Sequence, residues 1–186
     1  MKKTVLFFLF VTLVLTSCIK TQKSNELKKR PISEYKYAFS QIALANYFPE
    51  THIEVRTDSI ISNTFKVHIK NYSIKDEYIT VTKSNSNNKI KLLYHRVFES
   101  EISVAVASKD IFKTAISAQE FKDPLQKTFW DKATLQHVWV NQEVSNNKYL
   151  NIGISFINVE NNAYKLYELT LDPKGEQHLI LIEEHS

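Results

Sequence analysis

Six consecutive residues limit the fold more than anything else in the chain: Phe65, Val67 and Ile69 alternate with Lys66, His68 and Lys70. Only a two-residue period puts these three apolar side chains on one surface and the polar ones on the other, which is a half-buried β-strand. Similar stretches run from Ile53 to Thr57, Glu77 to Lys83, Lys89 to Phe98 and Ile102 to Ala107, and then from Thr134 to Val144, Tyr149 to Val159, Ala163 to Leu171 and Gln177 to Glu183. Between them stand Ser84-Asn85-Ser86-Asn87-Asn88, Ser145-Asn146-Asn147, Glu160-Asn161-Asn162 and Asp172-Pro173-Lys174-Gly175. Asparagine tolerates left-handed backbone and caps its own turn. It therefore replaces glycine in a chain whose only glycines are Gly153 and Gly175. Two segments carry the helical period instead. Tyr35, Ala38, Phe39, Ile42, Ala43 and Asn46 share one face until Pro49. Asp123 to Ala133 begins with a capping Asp123 and Pro124 at the first helical position, with Leu125, Phe129 and Trp130 as its apolar face. The expected fold is mainly β (α+β): a curled antiparallel sheet or meander, sandwich or partial barrel, with one or two short helices packed on it.

The N-terminus follows different rules. Lys2 and Lys3 precede an apolar run from Thr4 to Leu15, which has the charge and length of an export signal. A bilayer-spanning helix needs about 20 apolar residues, so this run is too short for a permanent anchor. Leu15-Thr16-Ser17-Cys18 closely resembles the lipobox of bacterial lipoproteins, a branched residue and two small ones before a cysteine. The resemblance implies that residues 1–17 are removed and that Cys18 takes the lipid and becomes the mature N-terminus. Cys18 is the only cysteine, so no intramolecular disulfide can form, and acylation removes an otherwise unpaired thiol. Two or three acyl chains hold a protein on a membrane far more firmly than one. In such lipoproteins an aspartate after the cysteine favours inner-membrane retention. Here that place is Ile19, and the following residues lack the acidic cluster of surface-exported lipoproteins. The expected location is the outer membrane, facing the periplasm.

Residues 18–31 read as a basic tether. Lys20, Lys23, Lys28, Lys29 and Arg30 stand against Glu26 alone, with no apolar period. Fully extended, the segment reaches roughly 40 Å. Removing Lys2, Lys3 and these five bases from the 24 basic residues leaves 17, and removing Glu26 from the 20 acidic ones leaves 19. The remainder, residues 32–186, is nearly neutral and of a length for one β-rich domain. A nucleic-acid partner, which needs a clustered basic surface, loses its support.

The usual catalytic patterns are missing. Two isolated glycines cannot build a phosphate-binding loop. Gly153-Ile154-Ser155 lacks the second glycine of a nucleophile elbow and falls within a predicted strand. The histidines (His52, His68, His95, His137, His178 and His185) show no zinc-ligand spacing, so no metal or other cofactor is expected. His68 and His137 lie on predicted strands and have Glu99 or Glu143 as possible neighbours in space. The carboxylate pairs Glu99 with Glu101 and Asp76 with Glu77 are the raw material for hydrolase chemistry, but separation and burial decide such a site. No catalytic residue is assigned.

What remains is aromatic. Tyr78, Tyr94, Trp130, Trp139, Tyr164 and Tyr167 flank polar strand positions, which suits protein and glycan surfaces as well as a β core. Tyr78, Tyr94 and Trp139 are the candidate binding residues, whereas Phe129 and Trp130 read as core. Phe129-Trp130-Asp131-Lys132-Ala133-Thr134-Leu135, the strand with Trp139, and Tyr164 to Leu169 together resemble small Bacteroidota lipoproteins built on an uncharacterised β-rich domain. That resemblance spans about Phe65 to Ile182 and implies an envelope location but brings no catalytic residues. The expected function is a non-enzymatic binding or structural module, tethered to the membrane through Cys18 and holding an envelope protein or glycan. The alternative is a small envelope hydrolase whose Glu, Asp and His side chains assemble only in three dimensions.

Overall fold

The computed structural model describes residues 46–84 and 90–186. The expected signal, Cys18, the tether, the helical face from Tyr35 to Ala43 and the polar run after Ser84 lie outside the described residues. Among the described residues nine strands follow in chain order: β1 (Asn46–Phe48), β2 (Glu54–Ile61), β3 (Phe65–Ser84), β4 (Ile90–Val106), β5 (Lys109–Ser117), β6 (Ala133–Val140), β7 (Leu150–Asn158), β8 (Tyr164–Leu171) and β9 (Gln177–His185). Between β5 and β6 lie a 3-10 turn (Pro124–Gln126) and a one-turn helix α1 (Lys127–Trp130).

The strands form two sheets. The first has the order β1-β4-β3-β2, with β5 also on β4, and the second is the meander β6-β7-β8-β9. Phe65, Val67 and Ile69 are buried on the inner face of β3, as their period demands. Ile102, Val104 and Ile116 join them from the same sheet. The second sheet supplies Leu135, Val138, Leu150, Ile152, Ile154, Phe156, Leu169 and Leu171, and the two inner faces close on one continuous core. The fold is a β-rich α+β sandwich. Polar stitches join its layers. The Phe98 amide donates to Thr134 Oγ1 at 2.9 Å, Asn71 Nδ2 donates to the Val138 carbonyl at 3.2 Å, and Lys132 Nζ donates to the Thr80 carbonyl at 2.9 Å.

Several elements differ from expectation. Phe65 to Lys70 and Glu77 to Lys83 belong to one strand, which continues through a register shift between Ser73 and Tyr78, where Asp76 has φ of 62°. Such a bulge bends a strand without ending it. Lys89 to Phe98 and Ile102 to Ala107 likewise merge into β4. β5 was not expected at all. It follows a two-residue turn, Ala107-Ser108, with φ of 49° and 66°, a geometry that asparagine and glycine usually mark. Asn46, the last member of the expected helical face, lies in β1, which runs parallel to β4. The second expected helix is cut to α1. Asp123 does cap its entry, its Oδ1 accepting from the Leu125 amide at 2.8 Å. Leu125 itself is 93% exposed, however, so the buried face reduces to Trp130, with Phe129 packed against the core.

Candidate functional site

At the β1 end of the sandwich, β4 leans toward β6 and β7 over a cleft of about 370 Å³. Its walls are apolar: Phe48 and Ile53 at the mouth, Phe98, Leu135, Ile157 and Val159 deeper. That volume lies within the range of small-ligand and side-chain pockets. Phe48 is 66% exposed, an unusual place for a phenylalanine in water.

The mouth is held in place. Arg96 donates from Nε to the Pro49 carbonyl at 3.0 Å and from Nη2 to the Glu50 carbonyl at 3.1 Å. From the other side, buried Ser73 exchanges with Ile53. The Ser73 amide donates to the Ile53 carbonyl at 2.9 Å, and the Ile53 amide donates to Ser73 Oγ at 3.1 Å, with His52 Nδ1 2.9 Å from that oxygen. The segment between β1 and β2 is thus pinned at both ends before any ligand arrives. Polar groups also reach the cleft, among them Lys83, His95, Arg96, Thr134, Gln136 and Asn162, and among the described residues no carboxylate does. Burial, and then the Lys83 ammonium, hold the His95 imidazole below the ordinary histidine range. His95 Nε2 is buried and meets no hydrogen-bond partner.

Tyr78 and Tyr94 come together beside the cleft, where sequence alone had left them apart, and Tyr47 joins them. Ring centroids lie 5.1 Å apart for Tyr78 and Tyr94, 5.4 Å for Tyr47 and Tyr94 and 6.0 Å for Tyr47 and Tyr78. The Arg96 guanidinium stands 5.0 Å from the centre of the Tyr47 ring. Tyr47 and Tyr94 are paired across the β1–β4 ladder, as are Phe48 and His95. Because neighbouring strand residues point to opposite faces, the tyrosines occupy the outer surface and Phe48 and His95 the cleft. Trp139 is elsewhere. It stacks on His137 at 5.6 Å and covers Gly153, where an added Cβ would come within 2.4 Å of the indole. That close approach requires a glycine at position 153.

The groups expected to meet for chemistry are separated. His68 Nδ1 faces Asp58 Oδ1 at 2.6 Å on the neighbouring strand, whereas His137 stacks on Trp139. Glu99 accepts from the Tyr72 hydroxyl at 2.5 Å, a bond that raises the tyrosine's pKa, and Glu101 faces Lys70 at 3.7 Å. Gly153 and Ser155 lie mid-strand in β7, with none of the sharp exposure of a catalytic elbow. Among the described residues no three His, Cys, Asp or Glu side chains are grouped to hold a metal ion, and no helix is long and apolar enough to cross a membrane.

No protein-family model matches the chain, and no curated protein matches its sequence. Of the residues around the cleft, sequence reasoning singled out none as a ligand contact. Phe48 preceded a proline at the end of an expected helix, Lys83 ended a strand, and His95 was one histidine of six. The one usable signal was the aromatic density at Tyr47-Phe48, which a helical reading of that segment concealed.

Proposed function

We propose that the chain is an envelope lipoprotein, anchored through Cys18 to the outer membrane and facing the periplasm, whose β-sandwich is a non-enzymatic module that binds a protein partner at the β1–β4 corner. One observation carries the binding part: a largely apolar cleft with a pinned mouth and a solvent-exposed Phe48 at its lip. Recognition surfaces centre on apolar and aromatic anchors filling pockets, and a pre-set mouth lowers the ordering cost of binding. The same observation favours protein over glycan. Sugars stack on flat aromatic faces, whereas the Tyr78 ring is turned about 80° and 86° from Tyr47 and Tyr94, so the three offer no common plane. The anchor reading rests on the lipobox-like Leu15-Thr16-Ser17-Cys18.

Two experiments test it. Cys18→Ser should abolish palmitate labelling and release the chain from the membrane, and continued labelling refutes the anchor. A photo-crosslinking residue at Phe48, with one at exposed Lys113 as control, should give a discrete protein adduct in cells at Phe48 only. Retention of the purified chain on envelope polysaccharide, with no protein adduct at Phe48, refutes the protein-partner reading.

A further inference from the structure

The cleft is electrically one-sided. Among the described residues Lys83, His95 and Arg96 border it and no aspartate or glutamate does, although residues 32–186 as a whole carry slightly more acidic than basic residues. The cations are not equivalent. Arg96 is spent on the Pro49 and Glu50 carbonyls and on the Tyr47 ring, so it shapes the mouth. Lys83 forms no ion pair or hydrogen bond among the described residues, and its charge reaches His95. On the same cleft lies the buried His95 Nε2, which has no partner among the described residues. Buried polar atoms are nearly always paired, so an orphan beside an open cleft calls for a partner from outside. A carboxylate suits both groups: it accepts from the exposed lysine ammonium, and from the imidazole N–H once the half-buried His95 ring turns toward the cleft.

Resting on the protein-partner reading above, we infer that the cleft recognises an acidic apolar segment of the partner: an apolar side chain enters between Phe48, Phe98, Leu135 and Ile157, and an adjacent carboxylate meets Lys83 and His95. A basic segment is rejected, because it would bring a second cation against Lys83 with no acid in the cleft to receive it. Tyr47, Tyr78 and Tyr94 sit on the outer face and do not enter this contact.

The smallest probe with these features is N-acetyl-phenylalanine, a benzyl group beside a free carboxylate. The full chain is titrated, with ligand-observed NMR, against this anion, its neutral carboxamide and the phenethylammonium cation. The expected order is anion, amide, cation, with the amide about three- to tenfold weaker, as loss of a partly exposed charge pair and a charged hydrogen bond implies. Lys83→Glu should reverse the order of anion and cation, and Phe48→Ser should weaken all three alike. Both positions are exposed, so these variants keep their fold. Equal binding of the three probes, cation preference in the unaltered chain, or no binding at all overturns the inference. A protein adduct at Phe48 that is indifferent to Lys83→Glu does so too, while leaving the protein-partner reading intact. Decanoate binding without N-acetyl-phenylalanine binding makes the cleft a lipid site and overturns both.

Discussion

Removing the indole of Trp130 tests how the one-turn helix is held to the sandwich. Trp130 is 4% exposed, and its ring lies 4.9 Å from Phe129, 5.3 Å from Phe156 and 6.4 Å from Phe121. Phe129 belongs to α1, Phe121 to the segment before the 3-10 turn and Phe156 to β7, so the indole joins the connection to the second sheet. Trp130→Ala removes the largest apolar surface at this junction and leaves a cavity, a change that costs about 3–5 kcal/mol. At roughly 3–4 °C per kcal/mol for a domain of this size, the midpoint should fall by roughly 10–20 °C. The indole Nε1 is buried and unpartnered, a condition that itself costs about 1–3 kcal/mol. Trp130→Phe discards that unpaired N–H and keeps an aromatic ring, so it should lose less than half of what alanine loses. Thermal unfolding followed by circular dichroism measures both variants. An unchanged midpoint in Trp130→Ala would place the indole outside the core. A phenylalanine as damaging as alanine would show that the N–H has a partner and that its burial is not a cost.

Other positions make equally definite demands. Asn158 is 2% exposed; its Nδ2 donates to the Thr128 and Phe129 carbonyls while its Oδ1 accepts from the Glu160 and Asn161 amides. Asn158→Asp turns the donor side into a carboxylate facing two carbonyls and should cost about 3 kcal/mol or more at neutral pH, with partial recovery in acid; denaturant titration reads both. Gly153→Ala forces Cβ into the Trp139 ring and should cost about 1–3 kcal/mol, most of which a second change, Trp139→Ala, should remove in a double-mutant cycle. Ala107→Asn with Ser108→Gly fits the left-handed turn between β4 and β5 and should stabilise by about 1 kcal/mol, and a lowered midpoint would refute that turn. His95 has a folded-state pKa below its unfolded one, because burial and Lys83 disfavour its charged form. The unfolded chain therefore takes up the proton first as pH falls below about 6.5, and stability present at neutral pH is lost on acidification. His95→Gln should flatten that slope in urea titrations across the same range.

The strands were legible where one face is dry and the other wet. Phe65 to Lys70 meets that condition, and so does the run that became β8, whereas β7 alternates in sequence although both of its faces are buried. β5 failed it twice. A register shift between Val104 and Ala105 leaves Ile111 and Phe112 adjacent and both half-buried, which breaks the period, and its entry turn uses alanine and serine at positive φ. The merged strands hid their continuity because a bulge reads as a break in alternation. Leu125 misled because a helical face was extended through a segment that has only one helical turn, and its first residues face solvent.

The cleft was illegible for a different reason: its members come from five separate stretches and share no spacing. Phe48 arrives on a three-residue strand, Lys83 and His95 on two long neighbours, Thr134 and Leu135 from the other sheet. Only the tertiary fold makes them a set, and only burial gives His95 its meaning. Among the described residues four buried side-chain atoms lack a partner, Asn71 Oδ1, Ser100 Oγ and two ring nitrogens, those of Trp130 and His95. Three phenylalanine rings surround the Trp130 nitrogen, and a lysine and an open apolar cleft adjoin that of His95. An unpaired donor among rings is a cost that packing offsets. The same donor beside a lysine, in a cleft where the described residues include no acid, is half of an ion-binding site, and the missing half is a carboxylate.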